Sequence, residues 1–208
     1  MHAASGYGCG VRRVAVIGVL TCLVLAGCVR ETGGVGSAPV PASAAAEATD
    51  VPLPPRPRDI DVRGVDPCSL LTGAQRAELG LDARPVYDVQ RSPLFEGPEP
   101  ACTIGGFEPR TVAVGVALPY DGLGVDAFAP SRVRSAVTAI TVQGFPAVQA
   151  VQPGRMTSCT VAVDLSPGQA LNVQYRDGGG RQPVPADELC PGAMDVADAA
   201  MATLLSLG

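Results

Sequence analysis

Thr111-Val112-Ala113-Val114-Gly115-Val116-Ala117-Leu118 alternates a large aliphatic residue with a small one at every step. In an extended chain, successive side chains point to opposite faces. Val112, Val114, Val116 and Leu118 then form one strongly apolar face, and Thr111, Ala113, Gly115 and Ala117 the other. Working outward, apolar and β-rich runs recur at Val86 to Val89, Cys102 to Phe107, Val137 to Val142, Ala147 to Val151, Cys159 to Leu165 and Ala170 to Tyr175. Gly144-Phe145-Pro146 and Pro167-Gly168 break these runs where hairpin turns belong.

Helical signals flank the strands. Thr72 followed by Gln75 forms a capping-box pattern, and the short helix it opens stops at Gly80. Near the C-terminus Leu189, Ala193, Val196, Ala197, Ala200, Leu204 and Leu207 recur at three- and four-residue spacing, with Asp187 and Glu188 suited to a first turn. The pattern predicts an α+β domain over residues 65–208. It has a short N-terminal helix, a mainly antiparallel sheet, and a long C-terminal helix packed on one face.

The N-terminal segment has a different character. Arg12 and Arg13 precede an uncharged apolar run from Val14 to Gly27. A run of about 14 residues falls short of the ~20 that span a bilayer as a helix. A positive flank, a short apolar run and small residues before a cut site describe a secretory signal peptide over residues 1–27. Leu25-Ala26-Gly27-Cys28 has the form of a lipobox. Small Ala26 and Gly27 suit the peptidase, and the Cys28 thiol accepts a diacylglyceryl group. Two acyl chains there, palmitate among them, would anchor the chain stably to a membrane, where one chain is marginal. Residues 28–64 are rich in Gly, Ala, Ser and Pro. They read as a disordered tether, because such a composition buries too little apolar surface to offset its ordering entropy.

Cysteine use fits export. Beyond Cys28 and the signal peptide, Cys68, Cys102, Cys159 and Cys190 remain. An even count in an oxidising place implies two disulfides, with three possible connectivities. Cys102 and Cys159 both open strand-like segments, so Cys102–Cys159 is the favoured pair, leaving Cys68–Cys190. No C-x2-C spacing is present, which speaks against a four-cysteine zinc site.

Asp66-Pro67-Cys68-Ser69-Leu70-Leu71-Thr72, Gly144-Phe145-Pro146-Ala147, the strand opened by Cys159 and the helix opened by Cys190 form a recognisable set. Together they resemble the actinobacterial lipoproteins grouped as domain of unknown function 3558. The resemblance covers residues 64–208, with Asp-Pro-Cys-x-Leu-Leu-Thr its most specific string. That family often carries Cys-x-Trp where this chain has Cys102-Thr103-Ile104. The resemblance implies an envelope lipoprotein whose domain is similar to PsbP/Mog1-like or extracellular kinase-sensor folds. It implies no reaction.

Composition narrows the chemistry further. All 15 basic residues are Arg, and the sole His is His2. A chain cut before Cys28 would lack both His and Lys, which removes Ser-His-Asp, Cys-His and Ser-Lys machinery. The net charge of −5 and 4% aromatic content argue against a nucleic-acid surface. A carboxylate pair is the surviving catalytic option, from Glu96, Glu99, Glu108, Asp121 and Asp126. Asp121 to Asp126 lacks the oxygen-ligand density of a calcium loop. Arg132 and Arg134 could meet an anionic ligand or simply be solvated. Tyr120 and Phe128 flank a Gly-rich loop that either gates a cleft or packs down. The expectation is a membrane-anchored, monomeric, non-enzymatic extracytoplasmic binding or accessory module without a cofactor. A carboxylate-dependent enzyme acting on envelope glycan and a purely structural envelope protein are the alternatives.

Overall fold

The computed structural model describes residues 51–208 except 153, 155 and 156. The lipobox Leu25-Ala26-Gly27, Cys28, the signal peptide and the first part of the tether lie outside the described residues. Seven strands form one antiparallel sheet: β1 (Val86–Arg91), β2 (Pro98–Gly106), β3 (Val112–Ala117), β4 (Ala136–Val142), β5 (Phe145–Val151), β6 (Ser158–Ser166) and β7 (Gln169–Asp177). Helix α1 spans Gly73–Glu78 and helix α2 spans Ala186–Ser206. The architecture is α+β, with α2 packed on one face of the sheet.

The strand order is β1-β2-β3-β7-β6-β5-β4. Two meanders, β1-β2-β3 and β4-β5-β6-β7, therefore meet along the β3–β7 ladder. The chain from β3 to β4 has to cross the sheet, and it does so through a short 3₁₀ turn at Gly124–Phe128 that touches β5, β6 and β7. Each of the seven runs of the sequence pattern becomes a strand, and Gly144 and Gly168 take the positive φ their hairpin turns require. Phe107 falls just beyond β2 and is exposed.

The alternation of β3 sets which face is which. Val112, Val114, Val116 and Leu118 join Cys102, Ile104, Val161, Val163, Leu171 and Val173 in the main core. Helix α2 closes that core with Leu189, Ala193, Val196, Ala197, Ala200, Met201 and Leu204. Its alanines bring the helix close to β6 and β7. Leu207, expected on this stripe, is instead the exposed helix C-cap. The Thr72–Gln75 capping box is formed, and Gln75 Nε2 also donates to the Ala199 carbonyl of α2 at 2.9 Å.

The disulfides are Cys68–Cys102 and Cys159–Cys190. This corrects the expected pairs Cys102–Cys159 and Cys68–Cys190. Strands β3 and β7 lie between β2 and β6. Three inter-strand spacings put Cys102 and Cys159 roughly 14 Å apart, whereas each observed pair has its Cα atoms 5.0 Å apart. Each bridge joins one strand to the helical element above it. Cys68 sits in a 3₁₀ turn (Pro67–Leu70) against β2, and Cys190 sits in the first turns of α2 against β6.

Residues 51–64 are also corrected. Expected as tether, they run along the domain. Val62 is 1% exposed within the core, and its N–H donates to Gln169 Oε1 at 2.8 Å. Ile60 N–H donates to the Leu165 carbonyl at 2.8 Å, beside an irregularity in the β6–β7 ladder. Arg56 Nη1 lies 2.6 Å from Asp164 Oδ2. Burial pushes the Asp164 carboxyl above its ordinary range even with Arg56 pulling it down. A raised acid favours the fold when protonated, and that contribution is lost as pH rises through its folded pKa. Arg56→Ala therefore costs about 1–3 kcal/mol at pH 7, where a buried carboxylate loses its partner. The cost should vanish once Asp164 is protonated, and denaturant melts at pH 7 and pH 3 check this.

Candidate functional site

The second face of the sheet is only half covered. Strand register places Ala101, Ala117, Asn172, Ala162 and Val148 in one row across β2, β3, β7, β6 and β5. Thr103, Gly115, Gln174, Thr160 and Ala150 form the next row. The crossing connection covers the β5–β6 side. There Phe95 and Phe128 meet edge to face, 5.9 Å apart, over Val148, Ala150 and Ala162. The small side chains over β2, β3 and β7 leave an unfilled floor beside Leu94 and Phe95. A Cβ built on Gly115 would meet no atom within 4 Å.

Two adjoining cavities result, sharing Leu94 and Gln174. The larger, about 500 Å³, is walled by Phe128, Val133, Arg134 and Ser135 above Ala150, Ser158 and Thr160. The smaller, about 250 Å³, lies over Ala101, Gly115 and Ala117 and ends at Ser92, Glu99 and Asn172. Both are open to solvent and mix apolar walls with amide and hydroxyl groups. This is the composition of a small-molecule or peptide groove.

Glu99 supplies the charge at the small end. Burial raises its pKa, and the neighbouring Ser92 and Asn172 side chains offset part of that rise. The Oδ1 atom of Asn172 is buried and has no hydrogen-bond partner. A raised carboxyl stabilises the fold in its protonated form, and this is lost as pH rises through the folded pKa. Glu99→Gln should therefore raise the melting temperature at pH 7–8, with the two chains converging by pH 4. Thermal melts across that range check it, and a lower melting temperature for the variant at pH 8 would contradict it.

The other carboxylates named from the sequence are dispersed. Glu96 pairs with Arg132 at 2.8 Å, and Asp121 with Arg63. Asp126 lines cavities beside the 51–64 segment, near Asp164. Glu108 shares a separate cavity of about 260 Å³ with Arg110 and Glu188, which form an ion pair. No two of the five sequence candidates line one of these cavities together. Among the described residues no group of three His, Cys, Asp or Glu side chains is placed to hold a metal ion. Arg132 and Arg134 part company: Arg132 is taken by Glu96, while Arg134 lines the large cavity. Tyr120 packs against the main core and Phe128 in the second cluster, so they are not a pair of gate residues.

Sequence reasoning missed Asn172, Gln174, Thr160 and Gly115 as parts of one groove. Their signal was present. Thr160, Asn172 and Gln174 alternate along β6 and β7 with the core residues Cys159, Val161, Leu171 and Val173.

Among the described residues no helix is long and apolar enough to cross a membrane. No curated protein and no solved structure matches the chain. The family described as protein of unknown function (DUF3558) matches residues 23–203, most of the chain's length. The chain belongs to that family.

Proposed function

We propose that this protein is a non-enzymatic binding module that takes a ligand in the groove on the uncovered sheet face. In this proposal it is an extracytoplasmic lipoprotein, held to the membrane through Cys28 and monomeric. The observation that carries the binding reading is the floor at Ala101, Gly115 and Ala117. A sheet face in a domain interior would be filled there by larger side chains. Here the space stays open between walls that include Leu94 and Phe95, with Phe128 walling the adjoining cavity. The lipid-anchor part rests on the lipobox and on the two disulfides, which suit an oxidising compartment. A finer likeness to PsbP/Mog1-like or kinase-sensor folds belongs to the same proposal, motivated by one antiparallel sheet with a helix across one face.

An open, lined groove favours binding over a purely structural role. A glycan-cleaving enzyme requires two carboxyl groups facing each other about 5–9.5 Å apart, and the lining of this groove holds Glu99 as its one carboxylate. The test is amide chemical-shift mapping of the disulfide-intact chain titrated with fractions of a bacterial envelope extract. Saturable shifts centred on Gly115, Thr160 and Gln174 are expected. Shifts confined to the α2 face would overturn the assignment.

A further inference from the structure

We propose that the Glu99 end of the groove is a subsite for a primary ammonium group, so that the ligand joins a cationic amine to a less polar body. This rests on the groove being the binding site, and it adds the chemistry of one end. Among the described residues, Glu99 lacks the cationic partner that the neighbouring surface carboxylates have. Arg56, Arg63, Arg110 and Arg132 each hold a carboxylate. Glu99 is half-buried and has no ion pair among the described residues, although burying a charge without a partner is costly. Beside it the buried Asn172 Oδ1 also has no donor. The lining of this end therefore holds one carboxylate, neutral hydroxyl and amide groups, and no cation.

An ammonium carries three N–H donors and accepts nothing, so it can pair with the Glu99 carboxylate and still donate to neighbouring acceptor oxygens. Neutral donors would leave the Glu99 charge uncompensated. A bare metal ion fits less well. Calcium takes six to eight oxygens, and the cavity's about 250 Å³ is several times the ~30 Å³ share of one water. The space matches a head group with carbon attached. The remainder of such a ligand would run past Leu94 and Gln174 into the larger cavity, where Phe128 and Val133 offer apolar wall and Arg134 a cation. Attraction at one end and like-charge repulsion at the other would fix the ligand's direction.

The experiment titrates the disulfide-intact chain with n-butylamine, 1-butanol and calcium chloride in turn, following backbone amide shifts. Butylamine should move Ala101, Gly115, Asn172 and Gln174 saturably, and about tenfold or more tightly than butanol, as a charge-assisted hydrogen bond predicts. Glu99→Gln should abolish that preference. Equal binding of amine and alcohol, or an amine preference unchanged in Glu99→Gln, overturns the subsite and leaves the groove standing. Calcium moving these amides while butylamine does not also overturns it. If neither organic probe moves them, the subsite and the groove reading both fall.

Discussion

Replacing Cys159 and Cys190 together by Ala is expected to lower the unfolding free energy by about 3–4 kcal/mol, the loop-closure value for a bridge spanning 31 residues. For a domain of this size that is a fall in melting temperature of roughly 8–15 °C. The effect should reach the upper end because the start of α2 has little else to hold it. Its N-cap Pro185 makes no side-chain cap bond, and Pro191 removes one helical hydrogen bond inside the first turns. The bridge pins that weak end to β6, in the middle of the core. Thermal unfolding followed by circular dichroism checks this. A loss below about 1 kcal/mol would mean that Leu189, Ala193 and Val196 hold the helix unaided.

Gly115→Val is expected to weaken ligand binding by about 100-fold, the upper range for steric discrimination by small apolar groups. It should do so with no loss of stability. Gly115 sits mid-strand, where a glycine has no side chain to pack and weakens the ladder, and its added Cβ meets nothing. The isopropyl group would rise from the floor between Thr103 and Gln174 into the cavity. Glycines elsewhere behave oppositely. A Cβ on Gly106 would lie 2.2 Å from the Gly80 carbonyl oxygen, and one on Gly122 would lie 2.1 Å from that of Phe95. Substitution there destabilises the fold instead of the site. Melting and binding measured on the same preparations separate the two cases.

The contrast between these two predictions follows what the sequence could disclose. Period-two alternation around Val114 and three- to four-residue spacing around Val196 are local signals, so the strands and α2 were legible. Disulfide partners depend on strand order. Only the crossing from β3 to β4, which inserts β7 beside β3, separates Cys102 from Cys159. The reach of the domain into residues 51–64 was hidden for a similar reason. Val62 is one apolar residue among prolines and charges, and its burial depends on Gln169, more than one hundred residues away in the chain. The groove was half legible. The small residues Ala113, Gly115 and Ala117 were visible as the second face of β3, but small residues suit both a packed layer and an open floor. The crossing connection decides between these by packing mainly over β5 and β6 and leaving a cavity over β2, β3 and one side of β7.

The uncovered sheet face as the binding surface is tested most directly by native mass spectrometry. Wild-type and Gly115→Val chains, both with two intact disulfides, would be exposed to the same envelope extract and compared. A defined mass adduct on the wild type that is absent or at least tenfold depleted on Gly115→Val is the predicted result. An adduct of equal abundance on both chains would place the ligand elsewhere and contradict the account.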